Sequence, residues 1–262
     1  MAGSDPVRLD VEGAVATITL DAPERKNSLG PELVDRLATH LETAHADDAV
    51  RVIVLTNTGT TFCAGADLKA AAPGAQQGTG GGRTFTDVFE LLLDGPTPVV
   101  GRIAGHATGG GVGLAAACDL SVMDADSLLG FTEVRIGVAP AIISVVCLPK
   151  LRAADAMELF LTGERISATR AAEVGLVNRA VPGHELDAAV GDLVGKILRG
   201  GPNAVAASKR LVRQVPSMPR DDAFAWTAEL SASLFRSEEA SAGIAAFRER
   251  TDAPWVPPDL PS

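Results

Sequence analysis

Residues 105–114 read Gly105-His106-Ala107-Thr108-Gly109-Gly110-Gly111-Val112-Gly113-Leu114. They follow a Val- and Ile-containing stretch, residues 99–104, that is typical of a strand. Small apolar residues continue up to Cys118 and indicate a closely packed helix. The segment therefore predicts a strand, a glycine-rich turn and a helix. Glycines directly before a helix expose backbone N–H groups to a ligand oxygen, and the positive end of the helix assists them.

The run from Gly111 to Ala116 also matches the G-x-G-x-x-A pattern of dinucleotide-binding folds. Such folds use a strand–helix–strand unit of about 30 residues and an acidic residue about 20 positions further on. In this sequence the next predicted strand begins near Asp119 and ends at Asp124. The strand–helix–strand unit would therefore be too short, and Asp124 comes before the expected position of the acidic residue. The spacing therefore argues against dinucleotide binding. A purely structural use of the glycines, in close helix–strand packing, stays open from the residues alone.

A second loop of small residues, Cys63-Ala64-Gly65-Ala66-Asp67, follows the apolar strand predicted at residues 50–56. Two N–H donors from separate loops can form an oxyanion hole. Each donor is typically worth about 3 kcal/mol toward a developing enolate or tetrahedral oxyanion. From the residues alone, the two loops are equally compatible with a site for negative charge on a carbonyl oxygen and with close helix–strand packing.

Strand-like and helix-like stretches alternate in the first half of the chain, which predicts an α/β fold. From about Ala153 the pattern is mostly helical, and amphipathic helices follow Pro202. Residues 71–83 are rich in Gly, Ala and Gln, and we expect a mobile loop there, either a lid over a site or a variable surface insertion. Predicted strands lie at residues 15–20, 50–56, 99–104, 119–124 and 128–131, and residues 177–181 look extended. Predicted helices begin near Pro31 and cover residues 85–93 and 153–161.

The composition excludes several classes of protein. The chain of 262 residues is 46% hydrophobic, too apolar for a disordered protein. A net charge of −10 without a basic cluster argues against nucleic-acid binding, and no apolar stretch approaches the roughly 20 residues of a membrane span. The three cysteines Cys63, Cys118 and Cys147 are widely spaced, which predicts no disulfide framework, no metal site and a reduced, cytoplasmic protein.

Taken together, the motifs resemble the crotonase superfamily, also called the enoyl-CoA hydratase/isomerase family. They occur in the family's order from about residue 7 to about residue 255. The matching segments are residues 23–29, 62–68, 105–114, 117–119, 131–137, 162–164 and 171–177.

The resemblance implies a fold and a ligand. The fold would be a spiral of strand–strand–helix units over residues 1–200, with a C-terminal helical region, residues 201–262, that forms trimers or hexamers. The ligand would be an acyl-CoA thioester, with no cofactor beyond the coenzyme A of the substrate itself. The thioester oxygen would accept hydrogen bonds from the N–H groups of Ala66 and Gly110. The implied substrate-binding residues are Arg25, Lys26, Ala64, Asp67, Leu68, Gly109, Gly113, Phe131 and Trp255.

Among these residues, Arg25, Lys26, Ala64 and Leu68 would lie near the adenine and phosphate end of the ligand. Trp255, or a C-terminal cation, would contribute to the site of a neighbouring subunit.

The resemblance also identifies Glu133 as the general acid/base. By itself, a single glutamate after a short strand is more often a solvated or capping residue. Hydratases of the family carry another glutamate three residues after the second oxyanion glycine, where this chain has Gly113. A thioester's α-proton becomes acidic only when charge on its oxygen is stabilised, and a carboxylate must then move the proton. This chain retains one of the two carboxylates.

Three functions therefore remain open. The first is hydration of a 2-enoyl-CoA, with a branched or carboxylated substrate suggested by similarity to the methylglutaconyl-CoA hydratase-like subgroup. A substrate carboxylate would then replace the missing glutamate, or pair with Arg83 or Arg135. The second is double-bond isomerisation or carbon–carbon cleavage on the same scaffold, because fold alone does not fix the reaction. The third is acyl-CoA binding without catalysis.

Overall fold

A computed structural model describes residues 5–67, 82–258 and 260 and shows an α/β protein with two sheets. The first half contains β1 (Val7–Glu12), β2 (Val15–Leu20), α1 (Pro31–Ala46), β3 (Val52–Asn57), β4 (Thr61–Cys63), α2 (Phe85–Asp94), β5 (Val99–Ile103), β6 (His106–Thr108), α3 (Gly110–Ala117), β7 (Leu120–Asp124) and β8 (Leu128–Gly130). The second half contains α4 (Ala141–Cys147), α5 (Ala153–Thr162), β9 (Arg165–Ser167), α6 (Ala168–Glu173), β10 (Arg179–Val181), α7 (Leu186–Leu198), α8 (Pro202–Gln214), α9 (Arg220–Phe235) and α10 (Glu238–Glu249).

The larger sheet has six strands in the order β1-β2-β3-β5-β7-β10. All of its pairings are parallel except the β1–β2 hairpin. Every residue of β3 is buried, which explains why the sequence there is apolar on both faces. Helices α1 and α7 pack against this sheet and bury its apolar side chains in two hydrophobic clusters.

The smaller sheet has the order β4-β6-β8-β9. Strands β4, β6 and β8 are parallel neighbours, and β9 is antiparallel to β8. Because parallel strands end at the same edge of a sheet, the turns that follow Cys63, Thr108 and Gly130 lie side by side. This edge positions the candidate site.

The chain winds through the two sheets in repeated strand–strand–helix units. The units β3-β4-α2, β5-β6-α3 and β7-β8-α4 each place their first strand in the larger sheet and their second in the smaller one. The predicted α/β spiral of such units is therefore confirmed. Helices α8, α9 and α10 follow the last strand, as the helical pattern after Pro202 predicts.

The ends of three helices are explained by single residues. Helix α1 begins at Pro31, where the missing proline N–H costs no helical hydrogen bond. Helix α2 begins with a reciprocal capping box between Thr84 and Asp87. Gly175, at a φ of +91°, ends α6 in a Schellman motif, in which its own N–H donates to the Ala172 carbonyl.

Four strands and one helix have no counterpart among the sequence predictions. Strands β1, β4, β6 and β9 were not predicted, and the last three have only three residues each. The apolar run from Val138 to Leu148 contains α4, which begins directly after Pro140. Among the described residues, no helix combines the length and the apolar character that a membrane span requires. Cys63, Cys118 and Cys147 are all buried free thiols.

Candidate active site

The turn after β4 and the turn after β6 touch each other. Thr108 Oγ1 donates to the Ala64 carbonyl at 3.1 Å. A Cβ atom placed on Gly65 would lie 2.9 Å from the Gly110 nitrogen, and Gly65 has a φ of +82°. Only glycine meets both demands at this position. The two loops with the proposed donors are thus in direct contact.

The N–H groups of Ala66 and Gly110 are free to bind a ligand. Among the described residues, neither donates a hydrogen bond to another part of the protein. Gly110 is the first residue of α3, and the N–H groups of the next turn, Val112 and Gly113, donate to the Gly109 carbonyl instead. The Ala66 loop is fixed by its bridge to Leu29, whose N–H donates to the Gly65 carbonyl at 2.8 Å. The pair provides two donors on a rigid support.

Glu133 lies beside these donors, in the 3-10 turn Thr132–Ile136 that follows β8. A Cβ atom placed on Gly109 would lie only 3.1 Å from Glu133 Oε1. Glu133 Oε2 is buried and has no hydrogen-bond partner among the described residues. Burial raises the pKa of this carboxyl above its usual value of 4.5, and a backbone hydrogen bond partly opposes the rise. A carboxyl group with a raised pKa is suited to both accepting and donating a proton.

An apolar wall surrounds the start of α3. A Cβ atom placed on Gly110 would lie 2.7 Å from Leu29 Cδ1 and 3.1 Å from Phe85 Cζ. The ring centroids of Phe85 and Phe89 are 4.4 Å apart, so these rings pack together along α2. No sequence prediction included this wall, although two aromatic residues four positions apart on a predicted helix must share one face.

Gly113 lies one turn after Gly109, because its N–H donates to the Gly109 carbonyl at 3.3 Å. The space beside it is filled. A Cβ atom there would lie 2.5 Å from Ile143 Cγ2 and 2.7 Å from Phe89 Cζ. The position where the family resemblance implies a second carboxylate is therefore closed by two apolar side chains, one from α4 and one from α2.

The predicted coenzyme A contacts Arg25 and Lys26 lie next to the donor loop. The Ala64 N–H donates to the Lys26 carbonyl at 3.0 Å. Both cationic side chains are exposed, and Arg25 lies within ion-pair distance of Glu24 and Glu32. The structure thus places two exposed positive charges beside the loop that contains Ala66.

The other predicted binding residues lie in varied surroundings, and their roles stay predictions. Asp67 is half-buried near Gly30, whereas Leu68 lies outside the described residues. Phe131 is fully buried, with its ring centroid 4.3 Å from that of Phe160. Trp255 Nε1 donates to the Arg199 carbonyl at 3.0 Å, at the end of α7.

Asn27 is a positioning residue that the sequence analysis did not single out. Its side chain is fully buried and φ is +49°. Its Oδ1 accepts from the Ala22 N–H at 2.8 Å, and its Nδ2 donates to the carbonyls of Thr58 at 3.1 Å and Thr61 at 2.8 Å. These bonds tie the segment with Arg25 and Lys26 to the start of β4.

We expect Asn27→Ala to lower the free energy of unfolding by about 3 kcal/mol, because it leaves buried backbone groups unpaired at a left-handed residue. Urea unfolding measures the loss. Asn27→Gly is the matched comparison, since it removes the same hydrogen bonds but tolerates the positive φ and should be about 1 kcal/mol more stable than the alanine variant. A loss below about 0.5 kcal/mol for the alanine variant would contradict this role.

The site combines two unpaired N–H donors, a partly buried carboxylate and an apolar wall. This arrangement is typical of proteins that stabilise charge on a carbonyl oxygen while a proton moves nearby. The family model for enoyl-CoA hydratase/isomerase matches residues 10–257. The chain belongs to this family, and the resemblance seen in the sequence is confirmed.

Relatives cover nearly the whole chain. One from Thermus thermophilus, named "Putative enoyl-CoA hydratase", is 36% identical over 91% of this chain and 96% of its own. A carnitinyl-CoA dehydratase from Salmonella enteritidis is 32% identical over 96% of this chain and 98% of its own. A crystal structure of an enoyl-CoA hydratase from Mycobacterium marinum is similar with a TM-score of 0.87, at 35% identity over 97% of this chain and 99% of its own.

Proposed function

We propose that the protein adds water to the double bond of a 2-enoyl-CoA thioester, or removes it in the reverse direction. The N–H groups of Ala66 and Gly110 bind the thioester oxygen, and Glu133 transfers the proton. The observation that carries the proposal is the meeting of two unpaired donors and a carboxylate of raised pKa at one sheet edge. The names of the relatives from Thermus and Salmonella, a hydratase and a dehydratase, support it.

One carboxylate can complete the proposed reaction. Water attacks the β-carbon, and Glu133 accepts the proton that the water loses. The electrons of the double bond move toward the thioester oxygen, where each N–H donor is worth about 3 kcal/mol to the resulting enolate. Glu133 then returns a proton to the α-carbon, which regenerates the carboxylate and leaves a 3-hydroxyacyl thioester.

The charges around the site suggest where the two ends of the substrate lie. Arg25 and Lys26 are exposed beside the donor loop and suit the phosphates of coenzyme A. For a carboxylated acyl chain, Arg135 is the better of the two predicted partners. It is exposed two residues after Glu133 and makes no ion pair within the described residues, whereas Arg83 is paired with Glu42 on α1.

A second reaction, double-bond isomerisation, is favoured by the closed space beside Gly113. Ile143 and Phe89 fill that space and offer no polar group to hold a water molecule. Glu133 alone can remove a proton from one carbon of an enolised acyl chain and return it to another. This reaction needs the same two N–H donors but no water.

The proposal includes assembly into a homotrimer or hexamer. Helix α9 buries none of its residues, and large apolar side chains are exposed on the C-terminal helices. Exposed apolar surface of this extent usually marks an interface. The most exposed are Val212, Phe224, Phe235 and Phe247. A cytoplasmic location also remains a prediction.

One experiment distinguishes the candidates. The protein is incubated in deuterated water with crotonyl-, 3-methylcrotonyl- and 3-methylglutaconyl-CoA, and the products are analysed by NMR and mass spectrometry. A 3-hydroxyacyl product that carries one α-deuterium supports hydration. Deuterium exchange or a shifted double bond without hydration supports isomerisation. Binding without turnover would overturn both reactions and leave an acyl-CoA-binding protein.

A further inference from the structure

Helix α8 contributes a partly buried ion-pair cluster at the C-terminal end of α3, away from the Gly110 donor. Lys209 and Arg213 are four residues apart and share one helix face. Lys209 Nζ lies 2.9 Å from Asp119 Oδ2, and one guanidinium nitrogen of Arg213 lies 2.8 Å from Asp119 Oδ1. The Lys209 side chain is only 6% exposed and that of Asp119 17%. The carboxylate also accepts from the Val99 N–H at 2.8 Å, so it is fixed to β5.

The same two cations cap the two helices that line the candidate site. Arg213 donates to the carbonyl of Ala117, the last residue of α3, at 3.2 Å. Lys209 Nζ donates to the carbonyl of Leu92, in the last turn of α2, at 2.9 Å. Carbonyls in a last helical turn have no partner within the helix, and cations are favoured there by the helix dipole. Helix α8 therefore holds both site helices at their C-terminal ends.

The opposite ends of these helices carry the site. Helix α3 begins with the Gly110 donor, and α2 begins with Phe85 of the apolar wall. Seven of the eight residues of α3 are buried, so little water screens a charge along this helix. Lys150 also lies at this end, where its Nζ donates to the carbonyl of Cys118, the residue after α3, at 3.4 Å. Three cations and one carboxylate leave a net positive charge behind the helix.

We propose that Arg213, together with Lys209, is a positioning residue of the oxyanion site: the pair fixes α3 and α2 and places positive charge behind the Gly110 donor. This inference rests on the proposed function of the Ala66 and Gly110 donors. The eight residues of α3 span about 12 Å, and the Arg213 guanidinium lies just beyond its last residue. The guanidinium is therefore roughly 15 Å from the oxyanion. At an effective dielectric constant of about 20, a charge at that distance is worth about sixfold in enolate stability, or about 0.8 of a pKa unit.

The test uses acetoacetyl-CoA, a 3-ketoacyl thioester whose enolate absorbs in the near ultraviolet. Titration of the bound ligand gives its enolate pKa directly, without turnover. We expect Arg213→Met to raise this pKa by about 0.8 unit and to lower kcat for crotonyl-CoA about sixfold, with KM unchanged. Arg210→Met is the matched control: Arg210 is exposed on the same helix and stacks on Trp226, and its loss should leave both values unchanged.

A variant of opposite sign separates electrostatics from simple loss of structure. Asp119→Asn removes the negative charge of the cluster while its amide oxygen still accepts hydrogen bonds, so the bound enolate pKa should fall. Loss of packing alone would weaken the site in both variants. If Arg213→Met does not fold, Arg213→Gln removes the charge but keeps an N–H for the Ala117 carbonyl.

The outcomes distinguish this inference from the proposed function. If the wild-type protein lowers the enolate pKa of acetoacetyl-CoA and Arg213→Met lowers it equally, the inference is overturned and the oxyanion site stands. The inference is also overturned if Asp119→Asn raises the pKa. If the wild-type protein does not lower it at all, the oxyanion site itself is absent, and the proposed function fails with the inference.

Discussion

Replacing Glu133 with glutamine is expected to lower the rate of turnover by about 10²–10⁴-fold while the affinity for acyl-CoA changes little. The amide has nearly the shape of the carboxyl group but can neither accept nor return the proton. The Ala66 and Gly110 donors are unaffected, so thioester binding should survive. Rapid-mixing or steady-state assays give kcat, and equilibrium titration with crotonyl-CoA gives the affinity.

The matched control for this variant is Glu164→Gln, a glutamate in the exposed turn between α5 and β9. It has the same chemical change and should keep full activity. The role of Glu133 would be disproved if Glu133→Gln retained more than about a tenth of wild-type turnover, because general acid–base catalysis contributes at least about a hundredfold. Loss of acyl-CoA binding together with turnover would instead indicate a structural role.

The same substitution should stabilise the fold at neutral pH. Burial raises the pKa of Glu133 in the folded state above its value of 4.5 in the unfolded chain, so the folded state binds the proton more tightly. The wild-type protein therefore loses stability as the pH rises from about 4.5 through the raised pKa. Glutamine carries no charge at any pH. The advantage of Glu133→Gln in urea unfolding should appear above this window and vanish below it.

The longer strands could be predicted because their apolar, β-branched runs are local signals. Strands β4 and β6 could not, since three-residue strands become visible only through their pairing with each other. This pairing is what brings the Ala66 and Gly110 loops together. From the residues alone, the two glycine-rich loops could equally serve close packing or ligand binding. Their connection to Glu133 came from the family resemblance, because hydrophobic periodicity carries no signal for it.

The surroundings of the site were least predictable, because they combine residues that are distant along the chain. Ile143 of α4 meets Phe89 of α2 beside Gly113. Asp119 meets Lys209 and Arg213 of α8, about ninety positions later in the chain. Charged residues on an amphipathic helix normally indicate a solvated face. Their burial is decided by tertiary packing, for which a single sequence carries no local pattern.

A second carboxylate introduced at residue 113 should destabilise the fold. We expect Gly113→Glu to lower the free energy of unfolding by about 3–5 kcal/mol, because the new side chain meets Ile143 and Phe89 and places a charge in an apolar space. Gly113→Ala is the matched control for the steric part alone and should cost about 1–3 kcal/mol. Urea unfolding of both variants gives the two values.

Smaller side chains at residues 143 and 89 should reduce the loss of stability that a side chain at residue 113 causes. Ile143→Ala removes the Cγ2 atom that lies 2.5 Å from the added Cβ, and Phe89→Leu removes the Cζ atom at 2.7 Å. In this opened background Gly113→Ala should cost less than in the wild type, with a coupling energy of about 0.5–3 kcal/mol. Equal costs in the two backgrounds would show that the wall does not close the position.

The Ile143→Ala, Phe89→Leu variant also tests whether a carboxylate at residue 113 changes the balance between hydration and proton exchange. A carboxylate introduced at residue 113 lies one helical turn from Gly109, where Glu133 approaches α3. There it can hold and deprotonate water while Glu133 serves the α-carbon. Adding Gly113→Glu to the Ile143→Ala, Phe89→Leu background should raise the ratio of hydration to α-deuterium exchange at least about tenfold. A folded variant with an unchanged ratio would mean that the closed wall does not limit access of water to the substrate.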